Sequence, residues 1–537
     1  MKPHRNRSNV SEWKVINNDQ KVVDMLTQLN PKSLDWALAQ HESQGDTDLL
    51  PIPFELDIIR SAWNEIRTYL ARVDIENYPW TAFRNMLVPK DELLFRNSTQ
   101  LNPLDSLIFA AITKEIASRI ENTRMSRDEE TVFSYRYDAS SQGFYGDNSG
   151  WMAFWESSRK KALNAGVVLV TDITDYYNQI YHHTLENQLN KASSPRSHTT
   201  ALLNLLKRTT QEVSRGIPVG PHASHLLAES AVCPVDEFLS LKGYRFCRYV
   251  DDIHIFCDTA ESAHVAVYDL ANALNQSKLT LNRHKTCIMS GQDFVRRATQ
   301  MLEEDPVNDE EKAVIELLRK KTTGNPYQNI CFVDLSSEEL KSLTPSRLRL
   351  VLSGYLDAAR PNFTRLRWLL RRLSQVGTPA VIDYVIDNLS RLSPAIADAT
   401  LYLKSASANY DGNWKEMGTF LIAALDHPFV VRNEYLELVI LTLFGAITDL
   451  DHIGIITDRF DRSRPAARRE IVLAAARTNA ESWIRSLKES FSESGPWLKS
   501  ALLYGMRVLP EDERRMWLRR RRREVGVLDN AIIKAIT

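Results

Sequence analysis

The chain has 537 residues, too many for one compact domain at roughly 150 residues per domain. Hydrophobic residues make up 43% and charged residues 25%, which excludes wholesale disorder, and Gly 19 with Pro 21 are few chain breakers, so a helix-rich protein is expected. Lys+Arg 67 against Asp+Glu 68 leaves a formal charge of −1, which excludes an overall polycation but not a locally basic channel for nucleic acid. The five cysteines, at 233, 247, 257, 287 and 331, include no C-x-x-C pair, which argues against a disulfide framework or a zinc ribbon. The opening residues carry no apolar core, and the most apolar stretch, Leu436 to Ile447, is too short for a bilayer and contains Glu437. A soluble cytoplasmic protein with no membrane partner is expected.

In chain order, residues 1–50 read as a polar, helical or partly ordered extension. From Pro51 to about Arg127 the pattern is mostly helical, with Leu107 to Ile112, Ile116 and Ile120 on the apolar positions. TVFSYRY (131–137) is β-branched and aromatic and predicts a strand. An amphipathic helix runs from Trp151 to about Ala165, stopped by Gly166. GVVLVTD (166–172) predicts a buried strand that delivers a carboxylate at its end, and FCRYVDDIHIF (246–256) predicts a hairpin with two acidic residues at its bend. Between them lie a helical stretch around Leu202 to Leu206, the turn GIPVGP (216–221) and a helix from His222 to Leu241. Strand signals fade beyond about Asn308, and residues 340–537 read as consecutive amphipathic helices with short polar turns, the look of a degenerate helical-repeat array.

The strongest chemical signal is Tyr249-Val250-Asp251-Asp252 between apolar flanks. An isolated Asp-Asp pair at a bend is ordinarily a solvated acidic turn. Here Asp172 ends the other buried strand, and adjacent antiparallel strands could bring the acidic sites together. Three clustered carboxylates repel one another without cations, so a divalent metal pair follows, and hard oxygens with open positions suit Mg²⁺.

TDITDYYNQIYHHTL (171–185), GIPVGPHAS (216–224), RYVDDIHIF (248–256) and LTLNRHKT (279–286) occur in that order, and the series resembles the palm motifs of reverse transcriptases. VPKDELLFR (88–96) and SYR (134–136) look like the fingers, so the resemblance covers roughly residues 50–300. It implies that Asp172, Asp251 and Asp252 are catalytic, with Asp172 and Asp251 ligating Mg²⁺, or Mn²⁺ in its place, and Asp252 an outer carboxylate. Ile173 joins the metal set by the same resemblance. It also implies that Tyr177 sits against the sugar C2′ and selects deoxynucleotides, and that Gly220 lets backbone approach the nucleotide. Lys285 would serve as a proton donor or charge clamp near the triphosphate, Tyr249 would line the substrate site, and Arg136, Lys90 and Arg96 would contact phosphates. Asp175 reads as structural, hydrogen-bonded to backbone.

One departure sharpens the resemblance. Common reverse transcriptases have Gln before the glycine of the second motif, where this chain has Val219, so retroviral and retron enzymes match less well. The motif set with a long helical C-terminal region is similar to the bacterial abortive-infection (Abi) and related unknown-group reverse transcriptases, which act in anti-phage defence. That likeness implies an α+β fold: a fingers–palm domain over residues 51–310 and an all-α HEAT-like repeat domain over 311–537. It implies deoxynucleoside triphosphates, a DNA product and further copies of the chain as partners. Some relatives extend DNA without a template from a protein tyrosine, and others copy a non-coding RNA; the sequence does not choose. A non-catalytic scaffold with a decayed palm is the other class, disfavoured by the intact Asp172, Asp251 and Asp252. No second carboxylate set resembles a ribonuclease H domain, His222 and His225 lack an acidic partner for zinc, and the run Arg514-Arg515 with Arg519 to Arg523 is either a solvated face paired with Glu511, Asp512 and Glu513 or a phosphate or subunit contact.

Overall fold

The computed structural model describes residues 27–521 and 525–537 apart from 48, 92, 147–149, 303–310, 315 and 318–334. Most of the expected N-terminal extension, the boundary placed at residue 310, Cys331, Arg522 and Arg523 therefore lie outside the described residues. Six strands are present among the described residues: β1 (Arg84–Pro89), β2 (Phe95–Gln100), β3 (Val167–Asp172), β4 (Arg245–Tyr249), β5 (Asp252–Cys257) and β6 (Cys287–Ser290). The chain divides into two compact units, one drawn from residues 1–48, 62–83 and 99–304, the other from 49–61, 84–98 and 305–537.

The first unit is built on a four-stranded antiparallel sheet in the order β4-β5-β3-β6. Val168 and Val170 point into a core with Phe154, Trp155, Phe256 and Phe294, supplied partly by the helices Gly150–Ala162 and Gly291–Leu302. Successive side chains alternate faces, so Leu169 and Ile255, both fully buried, lie on the other face, where the helix Ala260–Gln276 packs on β3 and β5. Burial on both faces is why VVLV reads as an unbroken apolar run. The helix His222–Leu241 has the bounds its pattern predicts, and the stretch around Leu202 belongs to a helix over Arg196–Thr209.

TVFSYRY is not a strand. Val132 and Tyr137 each make one isolated bridge, to Arg248 and Tyr145, and Tyr135 between them has φ +43°. The carbonyls of Ser134 and Tyr135 accept hydrogen bonds from the Arg124 guanidinium, so a side chain takes the place of a neighbouring strand.

In the second unit the helices Pro345–Leu356, Phe363–Val376, Ile396–Ala406, Glu434–Ala446, Pro465–Arg477, Pro496–Gly505 and Val527–Ile536 pack each on the next, with shorter helices between them. This is the stacking of a helical array, in which every amphipathic helix hides its apolar stripe on its neighbours. Residues 51–61 and 84–98, expected in the fingers and palm, pack here instead. Leu50, Met86 and Val88 enter the same apolar core as Leu369 and Leu438, β1 lies on the helix Glu434–Ala446, and buried Glu55 pairs with buried Arg469. The β1–β2 hairpin itself falls in a stretch whose composition reads as helical; its pairing partner is only five residues away, yet the apolar surface it covers comes from beyond residue 340.

Candidate active site

The sheet brings the backbones of the three acidic residues to one end. β3 and β5 run antiparallel in a register that sets Asp172 opposite Asp252, and β4 and β5 form the hairpin whose bend is Val250-Asp251. The Ile173 N–H donates to the Asp251 carbonyl at 3.0 Å, which ties the end of β3 to the bend. Asp172 is buried, while Asp251 and Asp252 are partly exposed. Val250 lies at φ +55°, a left-handed conformation that a β-branched residue adopts at a cost on the order of 1–3 kcal/mol.

The LTLNRHKT segment closes one side. Asn282 N–H donates to the Asp172 carbonyl at 2.7 Å and its Nδ2 to the carboxylate at 3.0 Å; Lys285 Nζ donates to the same carboxylate at 2.7 Å. Burial works against the Lys285 ammonium, but its bond to Asp172 and the charges of Asp172, Asp252 and Asp251 outweigh it and raise its pKa. The Asp252 carboxyl is pushed up to about 7, first by burial and then by Asp251 and Asp172, against the pull of Lys285 and Arg297. In this arrangement no group of three or more His, Cys, Asp or Glu side chains among the described residues is drawn together to hold a metal ion.

Tyr177 lies in the short helix Tyr176–Gln179, five residues after Asp172. Its hydroxyl is hydrogen-bonded to His225 Nδ1 at 2.7 Å, and burial holds its phenol well above the ordinary range. His225 in turn stacks on Tyr135, with ring centroids 4.0 Å apart and planes 4° from parallel. The GIPVGP turn joins this group through the Ile217 N–H, which donates to the Tyr177 carbonyl at 2.9 Å, and both of its glycines have positive φ, Gly216 at +102° and Gly220 at +125°. Tyr249 belongs to an aromatic cluster with Trp151, Phe154 and Tyr135. Asp175 is bonded to the short helix that follows it: its carbonyl accepts from the Asn178 and Gln179 N–H groups at 3.1 Å each, and its carboxylate accepts from the Asn178 side chain at 2.7 Å.

The basic candidates are divided between the two units. Arg136 pairs with Glu121 at 2.7 Å and donates to the Met125 carbonyl at 3.0 Å, so its guanidinium is engaged within the protein; burial, then Arg124, lowers its pKa to about 10. Lys90 and Arg96 belong to the second unit, where the Lys90 carbonyl accepts from Arg367. Of the arginine run, Arg515 pairs with Glu511 and Arg521 donates to the Lys488 carbonyl, while Glu513 is taken by Arg485 and Lys488.

A buried ionic group behind the bend escaped the sequence reading. Arg248, fully buried, grips Asp236 through two nitrogens at 2.7 Å each and Glu229 at 2.9 and 3.2 Å; Arg124 reaches Glu229 at 2.7 Å. Burial favours neutral forms, but the two carboxylates hold Arg248 firmly charged, and Arg248 and Arg124 hold Glu229 below the usual carboxylate range. The available signal was the presence of Glu229 and Asp236 inside an otherwise apolar helical stretch, since buried charges are paired.

Comparison with known families decides the class of this unit. The family model described as "Reverse transcriptase (RNA-dependent DNA polymerase)" matches residues 95–323, less than half of the chain. The chain carries a reverse transcriptase domain. The carboxylate strands β3 and β5 and the segment bearing Lys285 all fall inside the match, so the domain is of the RNA-directed DNA polymerase type. No curated protein sequence matches the chain. Among solved structures, telomerase from Candida albicans in complex with a fragment of telomeric RNA aligns at 11% identity over 71% of this chain and 70% of that one, with a TM-score of 0.28. Apo telomerase from Candida tropicalis aligns at 9% identity over 81% and 71%, with a TM-score of 0.29. At TM-scores this low neither alignment says what this reverse transcriptase domain binds or makes. No helix among the described residues is long and apolar enough to cross a membrane.

Proposed function

We propose that the chain is a DNA polymerase that joins deoxynucleotides by metal-assisted nucleotidyl transfer. The observation that carries this is the register pairing of Asp172 with Asp252, with Asp251 on the intervening bend. The donor chemistry suits Mg²⁺: hard carboxylate oxygens, with Asp251 and Asp172 near enough to Asp252 to add to burial in raising its pKa. Asp172 and Asp251 would hold the ion pair, Asp252 would border it, and Ile173, which has no donor atom in its side chain, could contribute only its backbone carbonyl. When bound, the metal supplies charge neutralisation for the attacking hydroxyl and the leaving pyrophosphate. Lys285, held beside Asp172, supplies a positive charge on the side of LTLNRHKT, and Tyr177, fixed by His225, blocks space where a 2′-hydroxyl would lie. The test is incorporation of labelled deoxynucleotides by the full chain, with Asp251→Ala/Asp252→Ala as the comparison; an inactive wild type across Mg²⁺ and Mn²⁺ overturns the reading.

The wider reading, a defence reverse transcriptase of the abortive-infection kind working as a homo-oligomer in the cytoplasm, is supported by the motif order, by Val219 and by the helical array that follows the domain. Sequencing the nucleic acid that co-purifies with the chain tests its mode of synthesis. One defined RNA indicates copying of a partner RNA, whereas DNA of unconstrained sequence attached to a tyrosine indicates template-independent, protein-primed synthesis.

A further inference from the structure

The peptide unit of Val250 is held from both ends. Its N–H donates to Ser134 Oγ at 2.9 Å, and its carbonyl accepts from Arg248 Nη1 at 2.9 Å. Neither holder is free to drift. Ser134 is fully buried and donates its hydroxyl to Glu229 Oε1 at 2.6 Å; Arg248 is locked by Asp236 and the same Glu229; and Arg124, which also binds Glu229, grips the Ser134 carbonyl at 2.7 Å. All these contacts converge on the one residue of the bend whose backbone is strained, and the next two residues are Asp251 and Asp252. Left to itself, a valine here relaxes toward negative φ and shifts the bend that carries Asp251 against the strand-held pair Asp172 and Asp252.

We propose that Ser134 and Arg248, anchored by Glu229 and Asp236, form a clamp that keeps Val250 left-handed and thereby positions Asp251 relative to Asp172 and Asp252 for metal. They are positioning residues and touch no substrate. The inference rests on the polymerase reading for what the carboxylates do, but its consequence is a metal affinity and is measured without turnover.

The clean variant is Ser134→Ala in the full chain, because removing Arg248 would take from buried Asp236 the cation that pairs with it, while Glu229 keeps Arg124. Binding of Mn²⁺, read as free Mn²⁺ by electron paramagnetic resonance, is expected to weaken about tenfold, the size of effect typical of lost metal-site support, while the melting temperature stays near that of the wild type. Val250→Gly removes the strain the clamp opposes, so Ser134→Ala in a Val250→Gly background should cost no more than about twofold. Arg248→Lys keeps the buried charge without the guanidinium fork; run in parallel, it should behave the same way and decides the matter if Ser134→Ala does not fold. Unchanged Mn²⁺ affinity in a folded clamp variant, equal losses with and without Val250→Gly, or a wild type that binds no Mn²⁺ overturns the clamp. A wild type that binds Mn²⁺ but incorporates no nucleotide overturns the polymerase reading alone, and the affinity ratios still judge the clamp.

Discussion

Asp172 and Asp252 are register partners on neighbouring antiparallel strands, so the first and last carboxylates of the site are set by the sheet itself. Replacing Asp251 and Asp252 together by Ala should therefore cut nucleotide incorporation by at least about 100-fold without moving the strands. Because the change removes mutually repelling charges, the metal-free melting temperature should not fall. Parallel incorporation and melting measurements check both halves.

The raised pKa of Asp252 has a defined sign for stability. A carboxyl whose folded pKa is about 7 against an ordinary 3.8 favours the folded state while protonated; that contribution is complete below pH 4 and is lost as pH rises through 7. The metal-free protein should then lose stability across this window, by at most about 4 kcal/mol at about 1.4 kcal/mol per unit and less where solvent screens the group. Asp252→Asn, a mimic of the protonated form, should raise the melting temperature at pH 8 and leave it unchanged at pH 4. Chelator-treated melts at the two pH values check it.

If Tyr177 gates the sugar as proposed, Tyr177→Ala should raise the ratio of ribonucleotide to deoxynucleotide incorporation by about tenfold or more. His225→Ala should move the same ratio by a smaller factor, because it loosens Tyr177 without removing it. Single-nucleotide incorporation with paired ribo- and deoxyribo-substrates measures this.

Arg469→Ala should destabilise the second unit by about 3–5 kcal/mol, the usual cost of leaving a buried charge unpaired, here Glu55. Denaturant melts of the full chain report it, and Glu55→Gln with Arg469→Ala should recover part of the loss.

Sequence reading succeeded where the relevant physics was local. VVLVTD shows a buried strand ending in a carboxylate because both faces are covered, and the helix over 222–241 shows in its own apolar pattern. It failed where the partner is distant. Nothing near Arg84–Pro89 announces that its apolar residues fit a core made after residue 340, and nothing near Tyr135 announces that Arg124 will take its carbonyl. The role of Arg248 was hidden for the same reason: its letter sits in RYVDD, but its meaning depends on Glu229 and Asp236 one helix earlier.

The interleaving of the two units sets a timetable for the nascent chain. Glu55 and its partner Arg469 are 414 residues apart, so at about 5–20 residues per second a ribosome needs about 20–80 s to deliver one to the other. Throughout that interval Leu50, Met86 and Val88 have left the exit tunnel ahead of the helices that will cover them. The reverse transcriptase domain can close its sheet soon after residue 290 is made, while residues 49–61 and 84–98 wait for the end of the message.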